Sequence, residues 1–230
     1  MLQLIKLEIK KSNLGWYIRG AFIANIIMTV IMCFVMFMAQ QEGDLPISTY
    51  QDVYLFIGAM VRSTFIVFAS VLIAKVVIEE YKSKTILILF SYPVSRKKII
   101  ASKLMLIALL TFITMMLSNV IVAALLSIIN TYFPIVPFEM TGNQLIGEVT
   151  NIVLFAIASA GMSLIPLYFG MRNHSVPATI GSSLIIVAIA CSYNPAFSLI
   201  TFIPLQLGLA GVGAAIAYLA IRNIEKEDAI

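Results

Sequence analysis

Long apolar runs recur along this chain, separated by short polar stretches, and they restrict the fold more than any other feature. An α-helix of about 20 apolar residues crosses a bilayer core about 30 Å thick. Inside that core every backbone polar group must be hydrogen-bonded within the protein, which favours helices. Six segments qualify, at about 18–39, 53–77, 99–129, 145–170, 176–192 and 199–221. The sequence therefore predicts an all-α membrane protein with six transmembrane helices, forming a single membrane domain over residues 1–230.

The composition excludes a soluble fold. The chain is 61% hydrophobic and only 11% charged, whereas soluble domains keep about a quarter of their residues charged. The two cysteines lie inside apolar runs, without the spacing of a metal or redox site. We therefore expect no metal site and no cofactor bound by this chain.

The distribution of Lys and Arg predicts the orientation of the spans. The connections 40–52, 130–144 and 193–198 carry neither Lys nor Arg. Every basic residue except Arg62 falls on the other side of the six-span layout, and basic residues mark the cytosolic side of membrane proteins. We therefore expect a multi-pass protein of the cell membrane with both termini cytosolic. The net charge of +4 then reflects this bias and attraction to anionic lipids, and we expect no nucleic-acid partner.

Residues 1–15 read MLQLIKLEIKKSNLG, with Leu and Ile on one face and Lys elsewhere. Such a segment lies in the headgroup plane of the membrane rather than crossing it. It predicts an N-terminal amphipathic interfacial helix, either as an orientation anchor or as an elbow leading into the first span.

Between the second and third spans lies a polar segment, residues 79–98, that is longer than a minimal turn requires. Four charged residues end the second span, an apolar stretch follows, and Pro93 then interrupts regular structure. Ser95 is placed to cap a helix that begins at Arg96. The pattern predicts a short helix across the cytosolic mouth, then a break, then the third span.

The residues EEYKSKT…LFSYPVSRKKIIASK in this segment resemble the connection between spans two and three of type-2 ABC exporter permeases. The similarity is greatest to the small six-span branch that gives immunity to bacitracin and lantibiotics. The resemblance implies that residues 79–98 form a coupling helix that docks on a separate ATPase subunit, which would hold ATP and magnesium. It also implies a second permease copy or a paralogue, and an antimicrobial peptide or other amphipathic, lipid-associated cargo. The residues expected to carry the coupling are Glu79, Glu80, Tyr81, Thr85, Tyr92, Pro93, Val94, Ser95, Arg96 and Lys103.

Polar residues inside the spans are candidates for a substrate path. Arg62 stands in the second span, where a charge normally faces a partner or a wet cavity. It is either a substrate-path or gating cation or a structural ion pair, and Glu148 is its candidate partner. Asn119 and Asn151 are further intramembrane polar residues, for which interhelical hydrogen bonding is the simpler interpretation.

In the last span, Gly208, Gly211 and Gly213 predict a close-packing face. It would serve either within the subunit or at a dimer seam.

Several functions compete with that of an exporter permease. The chain has no Gly-x-x-x-x-Gly-Lys-Ser/Thr phosphate-binding motif, so we expect a transport subunit that is not itself an enzyme. An intramembrane enzyme, such as a protease or a lipid-modifying transferase, would need a His-Glu-x-x-His helix, an Asp pair or Ser with His, and the sequence shows none of these. A non-transporting membrane scaffold or sensor subunit, or an ion-coupled secondary transporter, stays open as an alternative.

Overall fold

The computed structural model describes residues 2–11, 15–42, 50–83, 95–132, 142–173, 175–192 and 201–227, and all regular structure within these ranges is helical. The helices are α1 (Leu2–Lys11), α2 (Gly15–Glu42), α3 (Tyr50–Ile73), α4 (Glu79–Lys82), α5 (Arg96–Tyr132), α6 (Gly142–Met162), α7 (Pro166–Asn173), α8 (Val176–Ala190) and α9 (Ile203–Glu227). A π-helical turn, Ala74–Ile78, joins α3 to α4 without a break. The expectation of an all-helical fold is confirmed for these ranges.

Within the described ranges, five helical stretches are long and apolar enough to cross a membrane: Gly15–Met38, Gln51–Lys82, Lys97–Tyr132, Ile146–Arg172 and Ile203–Arg222. They overlap the first, second, third, fourth and sixth predicted spans. The fifth predicted span, 176–192, coincides with the shorter apolar helix α8, which has 15 residues. The protein is therefore a multi-pass membrane protein.

The second span is the central helix of the bundle. α3 contacts α2, α5, α6 and α8, and its residues Phe65, Ala69 and Ile73 are fully buried. The helices α2, α5 and α9 instead turn much of their apolar surface outwards, as lipid-facing helices do. Examples are Phe22, Val30, Leu117, Val120, Val212 and Leu219.

Two helical stretches are longer than a bilayer is thick. Gln51–Lys82 has 32 residues and Lys97–Tyr132 has 36, which correspond to about 48 and 54 Å at 1.5 Å per residue. α4 and the start of α5 lie within the predicted coupling segment, residues 79–98, each at one end of these long helical stretches. The fold thus carries the second and third spans directly into the predicted coupling segment.

The fourth span is interrupted where α6 meets α7. Pro166 has no backbone N–H, and residues 163–165 form tight turns in which Leu164 and Ile165 donate to carbonyls three residues earlier. The chain then resumes as α7 at Pro166. α7 packs on α8 and on the π-helical turn, which completes the end of the bundle near α4.

Candidate functional site

The most polar structure of the described residues is a buried cluster of charges around Lys103, where α1, α4 and α5 meet. The Lys103 ammonium donates to the Glu80 carboxylate at 2.9 Å and to the carbonyl of Val76 at 3.0 Å. Its distances to the two Glu8 carboxylate oxygens are 3.2 and 3.3 Å. Lys11 closes the cluster with a 2.8 Å ion pair to Glu80. We call these four charged residues, Glu8, Lys11, Glu80 and Lys103, the Lys103 cluster.

Burial makes this cluster different from a surface ion pair. The Lys103 side chain has no solvent exposure, and those of Glu8 and Glu80 retain 9% and 14%. Removing one partner from a buried pair strands an uncompensated charge. The Lys103 cluster therefore fixes three separate segments relative to one another: the N-terminal helix, the end of the second span and the start of the third.

Local sequence explains how each side chain reaches the cluster. Glu80 lies in the single α-turn that follows the π-helical turn, and Val76 belongs to that π-helical turn. A π-turn has i→i+5 bonds, such as that from the Glu79 N–H to the Ala74 carbonyl, and such turns are often found at functional sites. Lys103 stands two turns into α5, on the face that packs against α1.

The other residues predicted for ATPase coupling surround this cluster or lie outside the described ranges. Glu79 is exposed, and Tyr81 is half-buried against the apolar core. α5 begins at Arg96, as the sequence predicted, and the Ser95 carbonyl accepts from the N–H groups of Lys98 and Ile99. Thr85, Tyr92, Pro93 and Val94 lie outside the described residues, so a coupling helix within 79–98 stays a prediction.

Sequence reasoning missed Glu8 and Lys11 as site residues. The amphipathic pattern predicted a helix in the membrane plane, and the exposed Leu7 and Ile9 of α1 suit that placement. The same helix turns Glu8 inwards against α5. The sequence signal for this contact was Glu8, the sole acidic residue of 1–15. An acidic residue among lysines can mark the position at which an interfacial helix pairs with a cation of the bundle.

A second polar site lies near the ends at which α3, α6 and α9 begin. There, Arg62, Asn119, Glu148 and Asn151 all line one cavity of about 280 Å³, although they come from three different helices. The structure thus brings together the four intramembrane polar residues that the sequence singled out. Further lining residues are Gln51, Tyr54, Leu55, Gly58, Met115, Ile152, Phe155, Ala156, Ser159, Thr201 and Ile203. We call this space the Arg62 cavity.

Arg62 is buried at 4% exposure, and its guanidinium carbon lies 4.2 Å from the centre of the Phe155 ring. A charge in a membrane span costs at least about 2.5 kcal/mol on insertion scales, and a desolvated cation–π contact offsets about 2 kcal/mol. Glu148 lines the same cavity, with the Asn151 side chain hydrogen-bonded to it. Pairing of Arg62 with Glu148 stays a prediction.

The three glycines of the last span have different surroundings. A Cβ atom on Gly213 would collide with the backbone carbonyl of Gly161, so α9 and α6 touch there backbone to backbone. A Cβ on Gly208 or Gly211 would meet nothing within 4 Å, and both residues are exposed. Of the three glycines, Gly213 therefore packs inside the subunit, whereas Gly208 and Gly211 lie on the exposed surface of α9.

The geometry is that of a helical bundle with a polar cavity near one end and a buried cluster of charges near the other. Residues 4–190 match the family described as ABC-2 family transporter protein. The chain belongs to this ABC-2 transporter family. It is also 44% identical over 228 residues, or 99% of this chain and 100% of the relative, to the uncharacterized protein YcbO of Bacillus subtilis (strain 168). No solved structure matches the chain.

Membership of the ABC-2 family identifies the chain as the membrane component of a transport system. In such systems the membrane subunit works with an ABC ATPase, so the family also implies that kind of partner. The specific immunity branch, the cargo and the docking surface are not given by the family and are proposed below.

Proposed function

We propose that this ABC-2 family chain is the transmembrane permease subunit of an ATP-driven exporter, energised by a separate ATPase that docks at residues 79–98. The observation that carries the proposal is the Lys103 cluster. It joins both flanks of this segment to α1 through buried charges. A segment held in this way transmits force from a docked ATPase to two spans at once.

Two helices connect the docking end to the Arg62 cavity. From Glu80 to Arg62 along the second span is about 27 Å, and from Lys103 to Asn119 along α5 is about 24 Å, at 1.5 Å per residue. Buried apolar residues of α3 and α5 fill the space between the two sites, among them Phe65, Leu72 and Ile107. A packed column of this kind supports mechanical coupling between ATP hydrolysis and the cavity.

The proposed topology has six spans, with both termini on the cytosolic side of the cell membrane. α8 is the fifth span, and its 15 residues cover about 22 Å, so it crosses with its flanking residues or where the bilayer thins. The location of every Lys and Arg except Arg62 on one side supports this orientation.

Six spans form half of the membrane domain usual in such exporters, so we propose that the chain pairs with a second permease copy or a paralogue. The exposed faces at Gly208 and Gly211 provide a surface on which another helix can approach closely. Membrane lipids cover the remaining apolar faces.

The proposed cargo is an antimicrobial peptide or another amphipathic, lipid-associated molecule, as in the bacitracin and lantibiotic immunity branch that residues 79–103 resemble. The Arg62 cavity, with Asn119, Glu148 and Asn151, is the proposed intramembrane part of its path. The apolar walls beside these polar groups suit a molecule with both kinds of surface.

The test is to co-express the chain with the ABC ATPase encoded beside it and to purify the two in lipid. We expect the ATPase to co-purify with the intact chain and to be lost when residues 92–96 are replaced by alanine. The matched control is Arg172→Ala, a change of an exposed basic residue at the end of α7. If the ATPase binds neither form, the exporter proposal is wrong, and a scaffold or an ion-coupled transporter becomes the better interpretation.

A further inference from the structure

The Arg62 cavity has a lining that selects a chemical class of ligand. We propose that it binds the anionic head group, phosphate or carboxylate, of an amphipathic molecule, and that Arg62 is the residue that binds the anion. This deepens the proposed permease function, because it assigns a charge and a depth to the cargo site.

The guanidinium is held in a way that suits an anion. Its carbon lies 4.2 Å from the centre of the Phe155 ring, and an aromatic face attracts and orients a cation. The five N–H donors lie in the guanidinium plane in a fork that matches carboxylate and phosphate. Phe155 thus presents Arg62 to the cavity with a defined orientation.

Gly58 keeps space open beside this group. Gly58 lies one helical turn before Arg62 and also lines the cavity. A Cβ atom at Gly58 would stand 3.9 Å from the Arg62 Nη2 atom, which is an ordinary van der Waals distance. An alanine therefore fits here, whereas a leucine would occupy the volume that a head group needs.

The other buried polar walls offer acceptors rather than further positive charge. The Asn119 amide donates to the Met115 carbonyl and the Ser159 hydroxyl to the Phe155 carbonyl. Both side chains also carry an oxygen that can accept a hydrogen bond from a hydroxyl or N–H group of a ligand. Among the described lining residues Arg62 is the cation, and it is therefore the group to which an anion would bind.

Glu148 also lines the cavity and lies closer to the start of α6 than Phe155 does, by seven residues or about 10 Å along the helix. A negative charge on Glu148 would repel an anion that enters the cavity. Replacing it with glutamine should therefore tighten the binding of an anionic ligand.

The size of the cavity limits what enters it. Its volume of about 280 Å³ lies at the lower end of ligand pockets, which run from about 300 to 1,000 Å³. It admits a head group or a single side chain, and the rest of the ligand stays in the lipid. An amphipathic molecule whose anion reaches Arg62 meets this requirement.

The test measures binding to the purified chain in phosphatidylcholine nanodiscs, without any ATPase. Trp16 is the single tryptophan of the chain, so Trp16→Phe combined with Phe155→Trp places one fluorescent reporter beside Arg62. The probes are dodecyl phosphate and dodecanoate, with dodecyltrimethylammonium as the cationic comparison. We expect saturable binding of the two anionic probes, at least tenfold weaker in Arg62→Gln and in Gly58→Leu, and several-fold tighter in Glu148→Gln.

Arg62→Lys retains the charge without the planar fork and should bind with intermediate affinity. Arg172→Gln, which lies outside the cavity, should bind as the parent does. Equal affinity for the cationic probe, or unchanged binding in Arg62→Gln, would overturn the proposal. If Arg62→Gln does not fold, the binding measured with Gly58→Leu is the deciding result, because this variant keeps Arg62 and fills the space beside it. Unchanged binding of the anionic probes to Gly58→Leu would then overturn the proposal.

A second set of nanodiscs contains phosphatidylglycerol and identifies the source of the anion. Competition with dodecyl phosphate assigns the site to an anionic bilayer lipid, and lack of competition assigns it to a single-chain amphiphile. Either result retains the anion site. Since no ATPase is present, failure here is distinguishable from failure of the exporter proposal, which is tested by ATPase co-purification.

Discussion

Lys103→Met is the substitution whose effect the structure defines best. Methionine keeps the unbranched shape of lysine and removes the ammonium group that contacts Glu8, Glu80 and the Val76 carbonyl. Two carboxylates then face each other across a buried space without the cation between them. We expect α1 to detach from α5, because α1 has ten residues, and a helix shorter than about 12–15 residues is marginal alone in water.

The size of the effect follows from the burial of the cluster. Removing one member of a buried ion pair costs about 3–5 kcal/mol. The lower end applies here, because the Glu80 side chain keeps 14% exposure and retains Lys11 at 2.8 Å. A loss of about 3 kcal/mol is a little over a hundredfold in the equilibrium between docked and open α1, at 1.4 kcal/mol per factor of ten.

Amide hydrogen exchange of the purified chain in nanodiscs measures this equilibrium. The amides of residues 2–11 should exchange about a hundredfold faster in Lys103→Met, while those of α3 stay protected. The matched control is Lys98→Met, on the same helix but exposed, where a surface change within about 0.5 kcal/mol predicts less than threefold.

A double variant distinguishes the effect of the lost charge from that of the changed side-chain shape. In Lys103→Met combined with Glu8→Leu, one stranded carboxylate is gone and an apolar contact replaces it, so α1 should regain most of its protection. If Lys103→Met folds and its α1 amides exchange within threefold of the parent, the Lys103 cluster does not hold α1, and the reasoning is wrong.

Three further changes test other parts of the structure. Gly213→Ala forces α9 away from the Gly161 carbonyl and should cost about 1–3 kcal/mol, seen as a lower melting temperature in nanodiscs, whereas Gly181→Ala in α8, with open space around it, should melt at or slightly above the temperature of the parent. Ser70→Ala removes the 3.0 Å hydrogen bond to Ser183 between α3 and α8 and should cost about 0.6 kcal/mol; a melting temperature equal to that of the parent would contradict this. In cells, with Cys33 and Cys191 replaced by serine, an impermeant maleimide should label Tyr132→Cys and not Lys98→Cys, which lie near opposite ends of α5; the reverse would invert the proposed topology.

The sequence was sufficient for an all-helical fold and for the approximate positions of five helices long enough to cross a membrane. Hydropathy and the 30 Å thickness of the core define where a helix must cross, and these physical limits are local. The start of α5 at Arg96 was predictable for the same reason, since Pro93 and Ser95 act on their immediate neighbours. The shortness of α8 was also visible in the 17 residues or so of its apolar run.

What could not be predicted depends on which helix faces which. Asn119 and Asn151 were seen as polar residues, but their convergence with Arg62 on one cavity requires the packing of α3, α5 and α6. The glycine run of α9 likewise indicated close packing without its direction. Only the rotation of α9 decides that Gly213 meets Gly161 while Gly208 and Gly211 face outwards.

The π-helical turn that precedes Glu80 leads to a last prediction. Its i→i+5 bonding, seen between Glu79 and Ala74, accommodates one residue more than an α-helical turn.

Deleting Val77 therefore restores the α-helical ladder and leaves Glu80 facing Lys103. Deleting Val67, inside α3, instead rotates everything that follows by about 100° and moves Glu80 away from the cluster. We expect the chain without Val77 to fold, with the loss of the buried Val77 side chain and at most the Val76 bond to Lys103. A charge-assisted bond is worth about 1.5 kcal/mol and a buried valine side chain at least about 1.5 kcal/mol, so the melting temperature in nanodiscs should fall, whereas the chain without Val67 should not fold. Equal damage from the two deletions would show that the turn has no such compensating role.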